Sequence, residues 1–449
     1  MAQLITIMII VLPLLLSSGA AKAAMKQSAA GGEELNGLIA QALDRNPDLK
    51  AAEARWQSFT HKIVPAASLD DPRLSLALNN FPVDDFSPDK TPMTGEMIRL
   101  SQTFPFPGKL AAKKEIATQK AAWYREMYQE TKIDLVRRVK ESWYTLFFQD
   151  RNLEQIDASL KLLDDLILLT EKRYETGKGM QQDVLKAQVE RSTLTEQHLN
   201  VEQQRQTTLA GLNSLRAMPA DAPIAIPTAV NPEPLSESED QLLEKAVDRR
   251  PMAKAYRALI KEYHAQKKLA HLNYMPDFSI GAAYTFRQEN RIDNGVDFAS
   301  VEFGLTLPLF REKRKESEAE SAAGEKMARE QLDDFINKTR FAISDAHAQM
   351  GKNAKLSSLY SSGIIPQARQ SLEAAISGYQ VGRISVLSLL DTTLKLYRYE
   401  VEYYRALSDL GRDVARLEAA AALSTDAIAA PGQTPQPVVP VENDTPTEK

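Results

Sequence analysis

The sequence predicts a mainly α-helical protein with a small β part, built as a duplicated unit of long coiled-coil hairpins with two strands per copy. Three observations carry this. From Lys109 to Thr176 there is neither Pro nor Gly, so one helix on the order of 100 Å long fits at ~1.5 Å per residue. A set of residues recurs at one offset: Leu38, Ala42, Asp44, Arg45, Pro47, Lys50, Ala51, Ala54, Ala66, Pro72 and Ser75 reappear as Leu242, Ala246, Asp248, Arg249, Pro251, Lys254, Ala255, Ala258, Ala270, Pro276 and Ser279. Two pairs of strictly alternating segments precede the two long helical stretches.

Composition bounds the rest. The chain has 449 residues, no Cys, a formal net charge of -5, 43% hydrophobic and 26% charged residues. Its mean hydropathy is -0.35. Those values exclude a disordered chain and a bundle of membrane helices. The absence of Cys excludes a disulfide framework, a Cys-ligated metal or cluster, and a lipid anchor on an N-terminal Cys. The slightly acidic balance gives no footprint of nucleic-acid binding.

In chain order, Leu4 to Leu16 forms an apolar core of signal-peptide length, and Ala21-Lys22-Ala23 offers a cleavage site. The first repeat spans 24–217. It opens with a helix from about Glu34 to Ser68 and continues with a strand pair inside 72–104. There Leu74, Leu76 and Leu78 alternate with polar or small residues, as do Ile98, Leu100 and Gln102. A helical hairpin over 108–217 follows. Val136, Val139, Trp143, Leu146, Leu153, Leu160 and Ile167 form a heptad seam; Val184, Ala187, Leu194, Val201, Leu212 and Leu215 form a second. Asp150, Asp157 and Asp164 recur at heptad spacing, readable as a solvated stripe or as an acidic track facing a water-filled lumen. Residues 218–236 form a Pro-rich connector.

The second repeat spans 237–423, with a strand pair in 276–308 and a helical hairpin over 311–423. Phe278, Ile280, Ala282, Tyr284 and Phe286 share one strand face, as do Val301, Phe303, Leu305 and Leu307. Its seam runs Leu387, Leu390, Leu394, Tyr397, Val401 and Tyr404, then shifts by three residues to Leu407, Leu410, Val414 and Leu417. Residues 424–449 read as a disordered tail. Gly177 and Gly382 end the outgoing helices of the two hairpins as left-handed caps. Strands of ~9–11 residues suit a membrane barrel. Four cannot close one alone, so they sit either in a soluble sheet or in a sheet pooled among chains.

No nucleotide loop, G-x-S-x-G, H-E-x-x-H or His-Asp-Ser arrangement is present, so no catalytic residue, cofactor or metal site is expected. His264 and His271 read as solvated helix histidines, and Met93 and Met97 as packing residues.

Export, duplication, a strand pair and two very long helices per copy resemble the TolC-like outer-membrane factors over nearly the whole mature chain. The most specific pieces are Ser101-Gln-Thr-Phe-Pro-Phe-Pro-Gly-Lys109-Leu110 and Gly378-Tyr379-Gln-Val-Gly382 followed by Leu390-Asp391. The first is similar to the family's strand-to-helix junction, and loosely to that of metal-efflux members. The second is similar to its periplasmic helical tip. The resemblance implies a homotrimer whose protomers share a twelve-stranded barrel in outer-membrane lipid and a periplasmic α-barrel. It implies a passive channel-tunnel for tripartite efflux or type I secretion, docked to a periplasmic adaptor (membrane fusion) protein and an inner-membrane pump of RND or ABC type. It places Asp183, Tyr379, Arg383 and Asp391 at the periplasmic aperture, and Tyr174, Gly177 and Gly382 at adaptor-docking tips. The family's second aperture carboxylate falls on Ser388 and its gate arginine on Ile384; Arg383 is the neighbouring substitute. The rival is a periplasmic coiled-coil adaptor or scaffold without a pore, which would need a lipoyl-like β domain flanking one hairpin.

Overall fold

The computed structural model describes residues 34–423. The expected leader, 1–23, and tail, 424–449, lie outside the described residues. The expected first helix is divided in three: α1 (34–45), α2 (Pro47–His61) and α3 (Ile63–Ala67). Pro47 supplies the first division. Its ring fixes φ and removes an N–H, so Asn46 becomes an N-cap and accepts from the Leu49 amide.

Strands β1 (Arg73–Asn79), β2 (Gly95–Phe104), β3 (Phe278–Phe286) and β4 (Phe298–Leu305) form one antiparallel sheet in chain order. They are seven to ten residues long, the shorter ones falling below the expected length. Strands β2 and β3 pair with Phe104 opposite Phe278, although the long helices described below lie between them in sequence.

The register sorts side chains by face. Leu74, Leu100, Ala282 and Val301 form one cross-strand row, and Leu76, Ile98, Tyr284 and Ala299 the next. This face is apolar and exposed, with Gln102 and Glu96 at its two ends. Leu76 is 75% and Phe303 78% exposed. The opposite face carries Ser75, Arg99, Ala283 and Ser300 in one row and Arg73, Ser101, Gly281 and Glu302 in the next. Period-2 alternation causes the segregation, because successive side chains point to opposite faces.

Helix α4 (Lys109–Glu175) is unbroken over 67 residues and is joined by a tight turn to α5 (Gln181–Leu215). Gly108 starts α4 from a left-handed conformation, φ 96°. There Lys109 is buried: its Nζ lies 2.7 Å from Asp277 Oδ1 and donates to the Met275 carbonyl at 3.0 Å, tying the entry to α4 to the entry to β3. After a connector, α6 (Glu239–Arg249) begins with a capping box from Ser238 and Gln241, and α7 (Pro251–Leu272) leads into β3.

The second long stretch is not continuous. Helix α8 (Arg311–Leu359) passes through a π-helical turn, Tyr360–Ile364, into α9 (Ile365–Gln380), and α10 (Val386–Ala420) returns. Pro366 withholds an amide here, and the Ser357, Ser361 and Ser362 hydroxyls donate back to the Ala354 and Ser358 carbonyls. Both effects favour a local change of helical pitch.

The expected seam on α4 holds from Val136 to Leu146, where Val136, Val139, Trp143 and Leu146 are buried. Beyond it Phe147, Ile156, Leu163 and Thr170 are fully buried, while Leu153, Leu160 and Ile167 are half-buried. A helix with 3.6 residues per turn drifts against a strict heptad, and α4 packs against both α5 and α10. On α10, Leu390, Val401, Leu407, Leu410 and Leu417 are buried, whereas Leu387 is exposed and Val386 and Leu389 take the inward positions.

Candidate functional site

The two hairpin turns have the same hydrogen-bond geometry. In the first, the Gly177 amide donates to the Tyr174 carbonyl at 2.9 Å and the Lys178 amide to the Arg173 carbonyl at 2.8 Å. In the second, Gly382 donates to Tyr379 at 3.0 Å and Arg383 to Gly378 at 2.8 Å. Both are Schellman caps, and both need a left-handed residue: φ is 68° at Gly177 and 75° at Gly382. The two turns correspond in sequence, with Tyr174, Gly177 and Leu185 matching Tyr379, Gly382 and Leu390 at one offset.

The equivalent tyrosines differ in surroundings. Tyr174 is 48% exposed and Tyr379 only 3%. Tyr379 packs with Leu163, Leu166, Leu372, Val386 and Leu389 in one apolar cluster. Arg173, which the sequence pattern does not single out, lies over it. Its guanidinium carbon is 4.7 Å from the Tyr379 ring centroid, and its Nη1 donates to the Tyr379 carbonyl at 2.8 Å. Arg173 therefore ties the two tips of one chain together. Its one sequence signal is its place beside Tyr174 at the end of α4.

Asp183 stands in the first turn of α5, and no hydrogen bond joins it to Tyr379 among the described residues. Asp391 is exposed and pairs with Lys395, one turn on, at 2.8 Å. Arg383 is exposed. Ile384 packs into the apolar cluster beside Tyr379, and Ser385 caps α10 by accepting from the Ser388 amide.

The acidic line on α4 is matched by bases on α5. Asp150 pairs with Arg205, Asp157 lies 3.3 Å from His198, and Asp164 lies 2.5 Å from Arg191. Antiparallel helices with the same heptad spacing place rungs seven residues apart in register. An interhelical ladder thus replaces the acidic track.

Residues 38–217 and 242–423 match the outer membrane efflux protein family. The chain belongs to that family. It is 22% identical over 382 residues to outer membrane protein TolC of Vibrio cholerae, covering 82% of this chain and 86% of that protein. It is 23% identical over 393 residues to the cobalt-zinc-cadmium resistance protein CzcC of Cupriavidus metallidurans, covering 85% and 88%. Among solved structures, the outer-membrane channel OprN shares the fold with a TM-score of 0.71 at 17% identity, covering 89% of this chain and 91% of that one. VceC of Vibrio cholerae does so with a TM-score of 0.70 at 21% identity, covering 87% and 96%. The protein is an outer-membrane channel component of efflux systems that extends into the periplasm.

Proposed function

We propose that three copies of this efflux channel pool their sheets into one twelve-stranded barrel, with the long hairpins continuing as a periplasmic α-barrel. The carrying observation is the four-stranded sheet: one face is apolar and exposed, the other polar, and the outer edges of β1 and β4 are unpaired within the sheet. The apolar face is the surface offered to lipid. In lipid each unsatisfied edge group costs several kcal/mol, and closure among copies removes that cost. The units 24–217 and 237–423 are the two structural repeats of each protomer.

The assembled duct is passive. It serves a tripartite efflux or type I secretion system, with energy supplied by an inner-membrane pump of RND or ABC type through a periplasmic adaptor. The exposed tips around Tyr174, Gly177 and Gly382 meet the adaptor. Asp183, Tyr379, Arg383 and Asp391 line the aperture region. Three Asp391 carboxylates near a common axis form a cation-sensitive ring that Lys395 tempers. Outer-membrane extracts test the assembly: a heat-modifiable trimer with channel activity in planar bilayers is expected, and a soluble periplasmic monomer defeats it. Unchanged conductance and divalent-cation block in Asp391→Ala removes the ring.

A further inference from the structure

The polar face of the sheet is made almost wholly of small or uncharged residues. Within the four strands its charged side chains are Arg73, Arg99 and Glu302. All three fall in two adjacent cross-strand rows. Arg73 and Glu302 share the row that runs through Ser101 and Gly281, and Arg99 lies in the next. The charges are therefore concentrated at one level of the sheet.

Arg99 and Glu302 are joined although β3 lies between their strands. Arg99 Nη1 is 3.0 Å from Glu302 Oε2. Two interstrand spacings are about 9.6 Å, so the guanidinium must lie across the face of β3. The small residues Gly281 and Ala283 leave that path clear. Both charged side chains keep solvent access, at 39% and 62% exposure.

We propose that Arg73, Arg99 and Glu302 form a charged girdle that sets the ion preference of the outer-membrane segment of the duct. This rests on the pooled-barrel reading, which turns the polar face into the lumen wall. The Arg99–Glu302 pair cancels its own charge, and Arg73 leaves one cation per protomer. Three protomers give a ring of positive excess on the lumen wall, which favours small anions over cations at that level.

Reversal potentials of purified channels in planar bilayers under a KCl gradient test this. Glu302→Gln is expected to lower the cation-to-anion permeability ratio and Arg99→Gln to raise it, each by roughly twofold. The charge-swapped double variant, Arg99→Glu with Glu302→Arg, is expected to stay near the original ratio. Because the chain has no Cys, Glu302→Cys adds a rescue: an anionic thiol reagent returns the ratio toward the original and a cationic one drives it further away. A purely structural ion pair moves trimer stability in both single variants but does not move the ratio in opposite directions. Conducting trimers of the two single variants whose ratios match the unsubstituted channel overturn the girdle alone. Unsubstituted protein that forms neither trimer nor channel overturns the barrel reading and the girdle with it.

Discussion

Replacing Arg173 with Met removes the tie between the two tips while keeping an apolar stem of similar length. The tie consists of one charged hydrogen bond to the Tyr379 carbonyl, 2.8 Å, and one guanidinium–ring contact at 4.7 Å. A hydrogen bond from a charged donor contributes ~1.5–3 kcal/mol and an exposed cation–π contact ~0.5–1 kcal/mol. Arg173 is half-buried, so solvent screening brings the sum to about 2 kcal/mol. That corresponds to roughly a thirtyfold shift in the balance between tied and parted tips. Single-channel recording should show Arg173→Met spending more time in high-conductance states. Tyr379→Phe is the informative control: the Tyr379 hydroxyl forms no hydrogen bond among the described residues, so this variant should behave as the original. Tyr379→Leu keeps the carbonyl bond, loses the ring contact and should fall between. Original behaviour in Arg173→Met together with opening in Tyr379→Phe refutes the reasoning.

Three further outcomes are expected. Gly382→Ala places a Cβ at φ 75° and should cost ~1–2 kcal/mol, read as a lower trimer melting temperature; an unchanged melting temperature contradicts the strained-turn argument. Lys109→Met leaves Asp277 without its buried partner and should cost ~3 kcal/mol, visible as reduced trimer yield that Asp277→Asn partly restores. Burial pushes the Asp413 carboxyl above its ordinary range, with the Asn353 hydrogen bond and Arg416 opposing. A raised folded value means stability is lost as pH rises through it, so Asp413→Asn should melt higher than the original at neutral pH, with the difference closing at about pH 4, the ordinary carboxylate range; a lower melting temperature at neutral pH contradicts this.

Much of the fold was legible because it is local. Absence of Pro and Gly marked the extent of α4, and Gly177 and Gly382 marked its end and that of α9 through their left-handed caps. Alternation assigned the strand faces from Leu74 to Leu305. The π turn at Tyr360–Ile364 was not legible, since its ingredients, three serines, Gly363 and Pro366, are individually ordinary. The candidate site was less legible. Tyr379 stood out, but Arg173 did not, because its partner lies 206 positions away.

The sequence by itself determined the extent of α4, the positions of the two Gly-capped turns and the strand faces, all of which follow from backbone preference and periodicity over a few residues. Only the tertiary structure decided that Tyr379 is buried while Tyr174 is exposed, that Asp150, Asp157 and Asp164 meet Arg205, His198 and Arg191, and that Arg99 reaches Glu302. Those outcomes depend on the register between separate elements. A shift of one residue in that register would leave every local preference intact and change every pair.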